Sequence, residues 1–503
     1  MSGPAVVIGS GPNGLAAAIR LAERGCDVVV LEAADEPGGA VRTEELTLPG
    51  FRHDTFSSVY PAGAASPVFS RLPLDRHGLE WVHPAVCSAH PLLGGPAALL
   101  YRDLDETAAS LDALAPGDGE AWADLAGPLL AQFEGLRSTM LTGFPPLVGP
   151  LRMLAGGGPM PVVSLTRMLL GSAVGLGRRL FESPGSRAWL YSAAMHGDAP
   201  PTKAGSAVAA AYLNILGHAV GWPSPRGGAA SLTWALISHL QSLGGEVRTG
   251  ARVDAIRVSG GKVTGVRVAG GEELAAQRIV ADVMPHALDR LAGDALPSWY
   301  RAGLRRYVYG QSTLKVDWAL DGPVPWEDEA VRGAGTVHVG GSEPEFLQTI
   351  DDTARGLPER PFLLMGQQSV ADPTRAPEGK HTAWAYTHGP QEGVDWVAAR
   401  DRHVERVEAH VERYAPGFRD RILARHVMGP GDLQARNANL VGGDVGGGSY
   451  ALRQVVFRPM PLPSPYWTPV KGLVLGSAAT FPGGAVHGVP GDAAARAVLR
   501  TRL

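Results

Sequence analysis

Three glycines and a carboxylate near the start of the chain are spaced for chemistry. Gly9-Ser10-Gly11-Pro12-Asn13-Gly14 follows the apolar run Ala5-Val6-Val7-Ile8, and Glu32 closes the β-branched run Asp27–Leu31. Gly9 permits a sharp turn out of a strand. Gly11 lets backbone N–H groups approach a pyrophosphate, and Gly14 lets the next helix pack closely on the sheet. The start of that helix adds partial positive charge where phosphate oxygens would sit. Glu32 can accept hydrogen bonds from both hydroxyls of an adenosine ribose, and its charge disfavours a 2′-phosphate. The pattern implies the grip of a dinucleotide rather than hydrolysis or acyl transfer. The chain has no GxSxG elbow and no HExxH helix. Cys26 and Cys87 are far apart and form no CxxC pair, and no metal site is expected.

A second glycine pair separates the candidate ligands. Asp35-Glu36-Pro37-Gly38-Gly39-Ala40-Val41-Arg42-Thr43 follows the second strand. A simple dinucleotide fold needs no such pair, whereas a long buried FAD does. Gly38 and Gly39 can bring backbone close to it, and Arg42 can meet phosphate with a forked contact. A third unit lies at the far end. Residues 472–475 read as a short buried strand leading to Gly476-Ser477. A glycine loop, Phe481-Pro482-Gly483-Gly484-Ala485-Val486-His487-Gly488, and an Ala-rich helix over 492–499 follow. That helix start, aimed at a flavin, would stabilise the charge of its reduced form. The expected cofactor contacts are therefore Gly9, Gly11, Pro12, Asn13, Gly14, Glu32, Ala33, Gly38, Gly39, Arg42, Val253, Gly476, Ser477, Val486 and His487. Val253 would offer its backbone to the adenine.

The elements that must position these residues follow from periodicity. Residues 15–24 are helical, with Leu15, Ala18, Ile19 and Ala22 on one face, and Gly25 stops the helix. Residues 232–243 read as an apolar-faced helix after Gly227-Gly228. Residues 246–256, 262–269 and 278–281 read as short strands, with 251–256 expected to return to the nucleotide sheet. Further on, 312–320, 336–339, 362–370 and 381–388 read as strands and 395–414 as a helix.

The chain as a whole bounds the function. Its 503 residues suggest more than one domain, with 45% apolar residues to fill the cores. A net charge of −4 gives no basic footprint, so no nucleic acid partner is expected. Two cysteines fit a reducing cytoplasm, and a strand beginning at Ala5 leaves no room for a leader ahead of it. Residues 138–180 are the most apolar stretch, interrupted by arginines and prolines. They read as buried or lid helices. The alternative reading is a surface that dips into a bilayer to collect a greasy substrate, which would add peripheral membrane contact.

Five stretches resemble the phytoene desaturase-like flavoproteins: GSGPNGLAAAIRLAERGCDVVVLEA, GGAVRTEELTLPGFRHD, GWPSPRGGAASLTWAL, NANLVGGDVGGG and GLVLGSAATFPGGAVHGVPG. They span residues 9 to 491, essentially the whole chain. The fourth is closer to the phytoene dehydrogenase-related and carotenoid ketolase-like branch than to amine oxidases. The resemblance implies an α/β fold. A discontinuous FAD-binding, Rossmann-type (glutathione reductase-like) domain would use residues 1–70, 225–295 and 465–503. A second, α+β substrate domain of mixed sheet covered by helices would use 71–224 and 296–464.

The implied activity is removal of a hydride from a C–H bond of a small apolar, isoprenoid or polyene-like, substrate to flavin N5. Neither cysteine lies near the C-terminal motif, so the FAD is expected to be held non-covalently. No second dinucleotide fingerprint is visible, so electrons would leave to oxygen, a quinone or another acceptor rather than exchange with NAD(P)H. Family members often carry a different residue where His487 stands, so no catalytic residue is carried over. The bland reading of His487 is a ring bonded to backbone. His196 and His218 are expected in the substrate domain, and Tyr60, Trp222 and Tyr450 as cavity or packing aromatics. Two other readings share these motifs: an amine-oxidising flavoenzyme, and a non-catalytic FAD-containing interaction protein.

Overall fold

A computed structural model describes residues 4–197 and 199–501. Asp198, two residues after His196, and the ends 1–3 and 502–503 lie outside the described residues.

Strands from three distant parts of the chain build one parallel sheet of five. Its order is Leu473–Leu475, Arg278–Ala281, Pro4–Ile8, Asp27–Leu31, Glu246–Arg248. Val6, Val7, Ile279, Val280 and Val474 are all buried, as a sheet covered on both faces requires. Helices Pro12–Ala22, Ala230–Ser242 and Val489–Leu499 cover one face through Ala16, Ala17, Leu232, Leu236, Ala495 and Val498. The first helix begins at Pro12, ahead of the expected Leu15, because proline at the first turn gives up no needed N–H. The last begins at Val489 for the same reason, with Pro490 in its first turn.

One expected strand belongs elsewhere. Val253–Ser259 does not return to the nucleotide sheet. It pairs antiparallel with Lys262–Val268 in a separate three-stranded sheet. Its outer positions, such as Arg257 and Ser259, are exposed, so it cannot sit inside a sheet covered on both faces. Arg278–Ala281, with Ile279, Val280 and Ala281 all buried, takes the place beside the first strand.

The second large sheet is mixed and seven-stranded. Its order is Ile422–Met428, Ser312–Leu320, His381–Gly389, Leu363–Gly366, Ala334–Val339, Val86–His90, Ala98–Leu100. The first, sixth and seventh of these strands were not expected from sequence. The strand expected over 362–370 ends at Gly366. Gln367 then turns its side-chain amide onto the carbonyls of Val331 and Ala334. Ser312–Leu320 is buried along its whole length. Leu314, Val316, Trp318 and Leu320 pack with Val404, Val407 and Val411 of helix Trp396–Glu412. The side chains between them, Thr313, Lys315 and Asp317, must point the other way.

A helical layer lies beside that sheet. Within residues 138–180, Met153, Met168 and Leu176 are buried. The outer faces of helices Val148–Gly157 and Pro159–Leu170 are exposed, so the stretch is a surface layer and not an enclosed one. Leu151 is 64% exposed, Met160 65% and Leu170 64%. No helix among the described residues is long and apolar enough to cross a membrane.

The glycine turns meet where side chains have no room. A Cβ on Gly39 would sit 3.0 Å from the Cα of Gly11. One on Gly491 would lie 1.8 Å from the carbonyl oxygen of Asn13, and one on Gly476 within 3.5 Å of the Cα of Gly491. Arg20 spans the same helix pair with a 2.6 Å ion pair to Asp492. Gly491→Ala should therefore push the first and last helices apart. We expect a loss of roughly 3 kcal/mol in unfolding free energy, read by chemical denaturation. Gly431→Ala, with open space around it, should cost under about 1 kcal/mol.

Candidate dinucleotide site and cavity

The convergence of the glycine turns opens a groove between the parallel sheet and the rest of the molecule. It is part of one cavity of about 770 Å³. Of the expected contacts, Gly9, Gly11, Pro12, Asn13, Glu32, Ala33, Gly39, Arg42, Val253, Ser477, Val486 and His487 all line it. Gly14, Gly38 and Gly476 do not. They are packing glycines: a Cβ on Gly14 would sit 2.0 Å from the Gly9 carbonyl oxygen, and one on Gly38 2.6 Å from that of Val41. Gly476 is closed in by Ala494 and Val280, each 2.9 Å from its would-be Cβ.

Local hydrogen bonds hold the groove in shape. The Glu32 carboxylate accepts from the Ser10 amide at 2.9 Å, the Ser10 hydroxyl at 2.7 Å and the Ala34 amide at 2.9 Å. Its orientation is thus fixed, with both lone pairs of Oε2 taken by Ser10 and one on Oε1 left for a ribose hydroxyl. Gly11 caps the first helix with no side-chain bond, Pro12 has no N–H and the Gly14 amide is taken by Asp282, so the Asn13 N–H at the helix start remains for an anion. The buried Nε of Arg42 and Oδ1 of Asn13 have no hydrogen-bond partner among the described residues. A buried guanidinium face left open in this way fits phosphate, and it is not the surface ion pair that a bland reading of Arg42 would give.

Asp282 was not anticipated. It follows strand Arg278–Ala281 and lines the cavity, and its Oδ2 accepts from the Gly14 amide at 2.9 Å. Burial pushes its carboxyl up to about 7, against the opposing pull of that bond, and the nearby Glu32 adds to the rise. Asn439, in the fourth motif stretch, ties to it by donating to the Asp282 carbonyl at 3.0 Å and accepting from the Met284 amide at 3.1 Å.

His487 is committed to the backbone on both sides. Its Nδ1 accepts from the Val489 amide at 3.2 Å, so Nε2–H donates to the Gly484 carbonyl at 3.1 Å. Burial holds the ring well below its ordinary value, at about 4. A neutral imidazole with neither nitrogen free shapes the loop and does not move protons. His218 is likewise a packing residue, receiving the Trp122 indole N–H at 3.0 Å. Tyr60, Trp222 and Tyr450 line the cavity.

The far wall is the inward face of the seven-stranded sheet. Thr313, Lys315, Thr336, Trp384 and Tyr386 line it, joined by His196 from the helical layer. The Lys315 ammonium contacts Asp317 and donates to the Asp54 carbonyl at 3.1 Å, and Asp54 pairs with Arg375 at 2.5 Å. Burial raises the Asp317 carboxyl to about 6, with Lys315 opposing. A signal for this wall was present in the sequence. In STLKVDWAL a lysine and an aspartate alternate with large apolar residues. A strand covered on both sides can hold such charges only if they pair or face a cavity.

A family model for flavin containing amine oxidoreductase matches residues 13–499. "Pyridine nucleotide-disulfide oxidoreductase domain-containing protein 2" of Rattus norvegicus is 28% identical, over 99% of this chain and 93% of that protein. A phytoene desaturase (neurosporene-forming) of Rhodobacter capsulatus is 27% identical, over 97% of this chain and 92% of its own length. Among solved structures, an oxidoreductase from Methanosarcina mazei superposes with a TM-score of 0.65 at 17% identity, covering 99% of this chain and 100% of that one.

If Arg42 neutralises phosphate, Arg42→Met should weaken flavin retention by about tenfold or more, the worth of a hydrogen bond to a charged group. Flavin fluorescence titration of the stripped and refilled protein reads this directly. Unchanged affinity would place the guanidinium outside the cofactor's reach.

Proposed function

Because this chain belongs to the family of flavin-containing amine oxidoreductases, we propose that it is an FAD-dependent oxidoreductase that removes a hydride from a C–H bond of an apolar, isoprenoid-like substrate. The observation that carries this reading is the composition of the cavity wall. Beyond the nucleotide groove it is lined by apolar side chains such as Met140, Leu141, Leu169, Val208, Leu213 and Leu216. Among the described lining residues the only carboxylates are Glu32 and Asp282, both beside the glycine turn. The fixed charge on the far wall is the Lys315 ammonium. That ammonium is already paired with Asp317, which does not line the cavity, so no lining carboxylate there is left for a protonated amine, which favours a C–H substrate over an amine. The similarity to a phytoene desaturase over nearly the full chain supports the same reading.

Bound in the groove, FAD would supply a two-electron hydride acceptor. Glu32 would hold the adenosine ribose, the first helix and Arg42 the phosphates, and Val253 would flank the adenine. The apolar wall would exclude water and orient the substrate chain. Loss of the hydride and of a proton from the neighbouring carbon would leave a double bond, with the electrons passing on to oxygen, a quinone or another acceptor. Cys26 and Cys87 are buried and do not line the cavity, which supports non-covalent attachment.

The exposed apolar side chains of helices Val148–Gly157 and Pro159–Leu170 would give peripheral contact with a bilayer. Leu169 of the second helix also lines the cavity, so the same segment would join lipid to substrate chamber. Leu151→Asp with Met160→Asp should weaken co-sedimentation with phosphatidylcholine–phosphatidylglycerol vesicles by more than about tenfold. Equal pelleting of variant and parent would exclude this surface.

The reaction is tested by anaerobic bleaching of the bound flavin. A neutral-lipid fraction should bleach it, whereas amines, NADH and NADPH should not. Rapid bleaching by an amine, with peroxide released in air, would overturn the C–H reading.

A further inference from the structure

A chain of hydrogen bonds behind the far wall sets the tautomer of His196. The Ser192 hydroxyl lies 2.6 Å from the Trp189 carbonyl and 2.8 Å from Nδ1 of His338. A carbonyl cannot donate, and two oxygens 2.6 Å apart need a proton between them, so the single Ser192 proton goes to Trp189. Ser192 Oγ must then accept from His338 Nδ1–H. That leaves Nε2 of His338 as a bare lone pair, 3.0 Å from Nε2 of His196. His196 therefore donates from Nε2, and its Nδ1 carries the lone pair. Burial keeps both rings neutral: the His196 ring is held at about 3, with His388 adding to the depression, and that of His338 lies well below the ordinary range. Trp222 packs edge-on against His196 at 5.1 Å and braces the ring.

The Nδ1 atom has no partner among the described residues, and the residue lines the cavity. Two hydroxyls on the same cavity are also unpartnered and buried: Thr336, on the same face of the strand as His338, and Tyr212. The wall thus offers one fixed acceptor, while the two hydroxyl oxygens lie closed off beneath its surface. We infer that the substrate is not a pure hydrocarbon but carries a hydroxyl group, which donates to His196 Nδ1. A hydroxyl pairs this acceptor, whereas a hydrocarbon would leave it unpaired. His196 is on this account a specificity-determining residue, and Ser192 and His338 are positioning residues acting through it.

This inference rests on the reading of the cavity as the substrate chamber. Its test needs no turnover, so its failure is distinguishable from failure of the bleaching experiment. Decan-1-ol and 1-methoxydecane are titrated into the flavin-loaded protein, with binding read from tryptophan emission, since Trp222 and Trp384 line the cavity. The alcohol should bind about tenfold more tightly than the ether. His196→Phe should bring the alcohol down to the level of the ether and leave ether binding unchanged, which also shows that the variant is folded. If the extra methyl group merely clashed, the gap would persist in His196→Phe. Equal behaviour of the two probes in the parent protein, including no binding by either, overturns the assignment. So does a gap that survives in the variant.

Discussion

The molecule is organised around backbone meeting backbone. At the edge of the parallel sheet, the turn at Gly11 touches the turn at Gly39, and Asn13 touches Gly491, at distances that no side chain could enter. Close-packed interiors tolerate little extra volume. Glycine at these points is therefore a condition for the three segments to assemble. The groove that results is walled by amides, a helix start and a guanidinium, which together form an anion site before any ligand arrives. The discontinuity of the fold has the same origin. The strand Leu473–Leu475 can join the sheet only if the helix after it packs on the first helix, and the small residues at that contact allow it.

The second sheet answers a different requirement. Its outer face is an ordinary apolar layer against helix Trp396–Glu412. Its inner face carries Lys315, Asp317, Thr336 and His338 with almost no solvent. Burying such groups is costly unless each is bonded. Lys315 and Asp317 pair with each other, and His338 bonds Ser192 and His196 of the helical layer. The wall thus combines a rigid hydrogen-bonded back with a few open positions in front, while the helical layer supplies apolar surface. An enzyme handling a largely apolar molecule needs both: the first for orientation and the second for exclusion of water.

Legibility in the sequence divided along the same line. The nucleotide groove was readable because its determinants are local: glycines at fixed spacing, then a strand ending in Glu32. Gly14 packs the helix on the sheet, as its spacing implies, and Gly38 and Gly476 likewise pack without lining the cavity. Val253 reaches the cavity although its strand was expected in the wrong sheet; partial burial along that strand, not its propensity, decides where it pairs. The far wall was much less readable. His196 and His338 are 142 residues apart and Asp282 meets Gly14 across 268. No local pattern encodes such pairings. The alternation of charge in Ser312–Leu320 was the one legible hint, and it speaks only once the strand is known to be covered on both sides.

The central claim is that three remote glycine turns hold one extended dinucleotide. A crystal structure of the protein purified with its bound flavin tests it most directly. The account predicts continuous density for FAD, with the ribose at Glu32, the phosphates over Gly11 and beside Arg42, and the ring system reaching toward Val486. Density for the cofactor elsewhere in the molecule, or a groove between Gly11 and Gly39 filled by ordered water alone in a flavin-containing crystal, would contradict it.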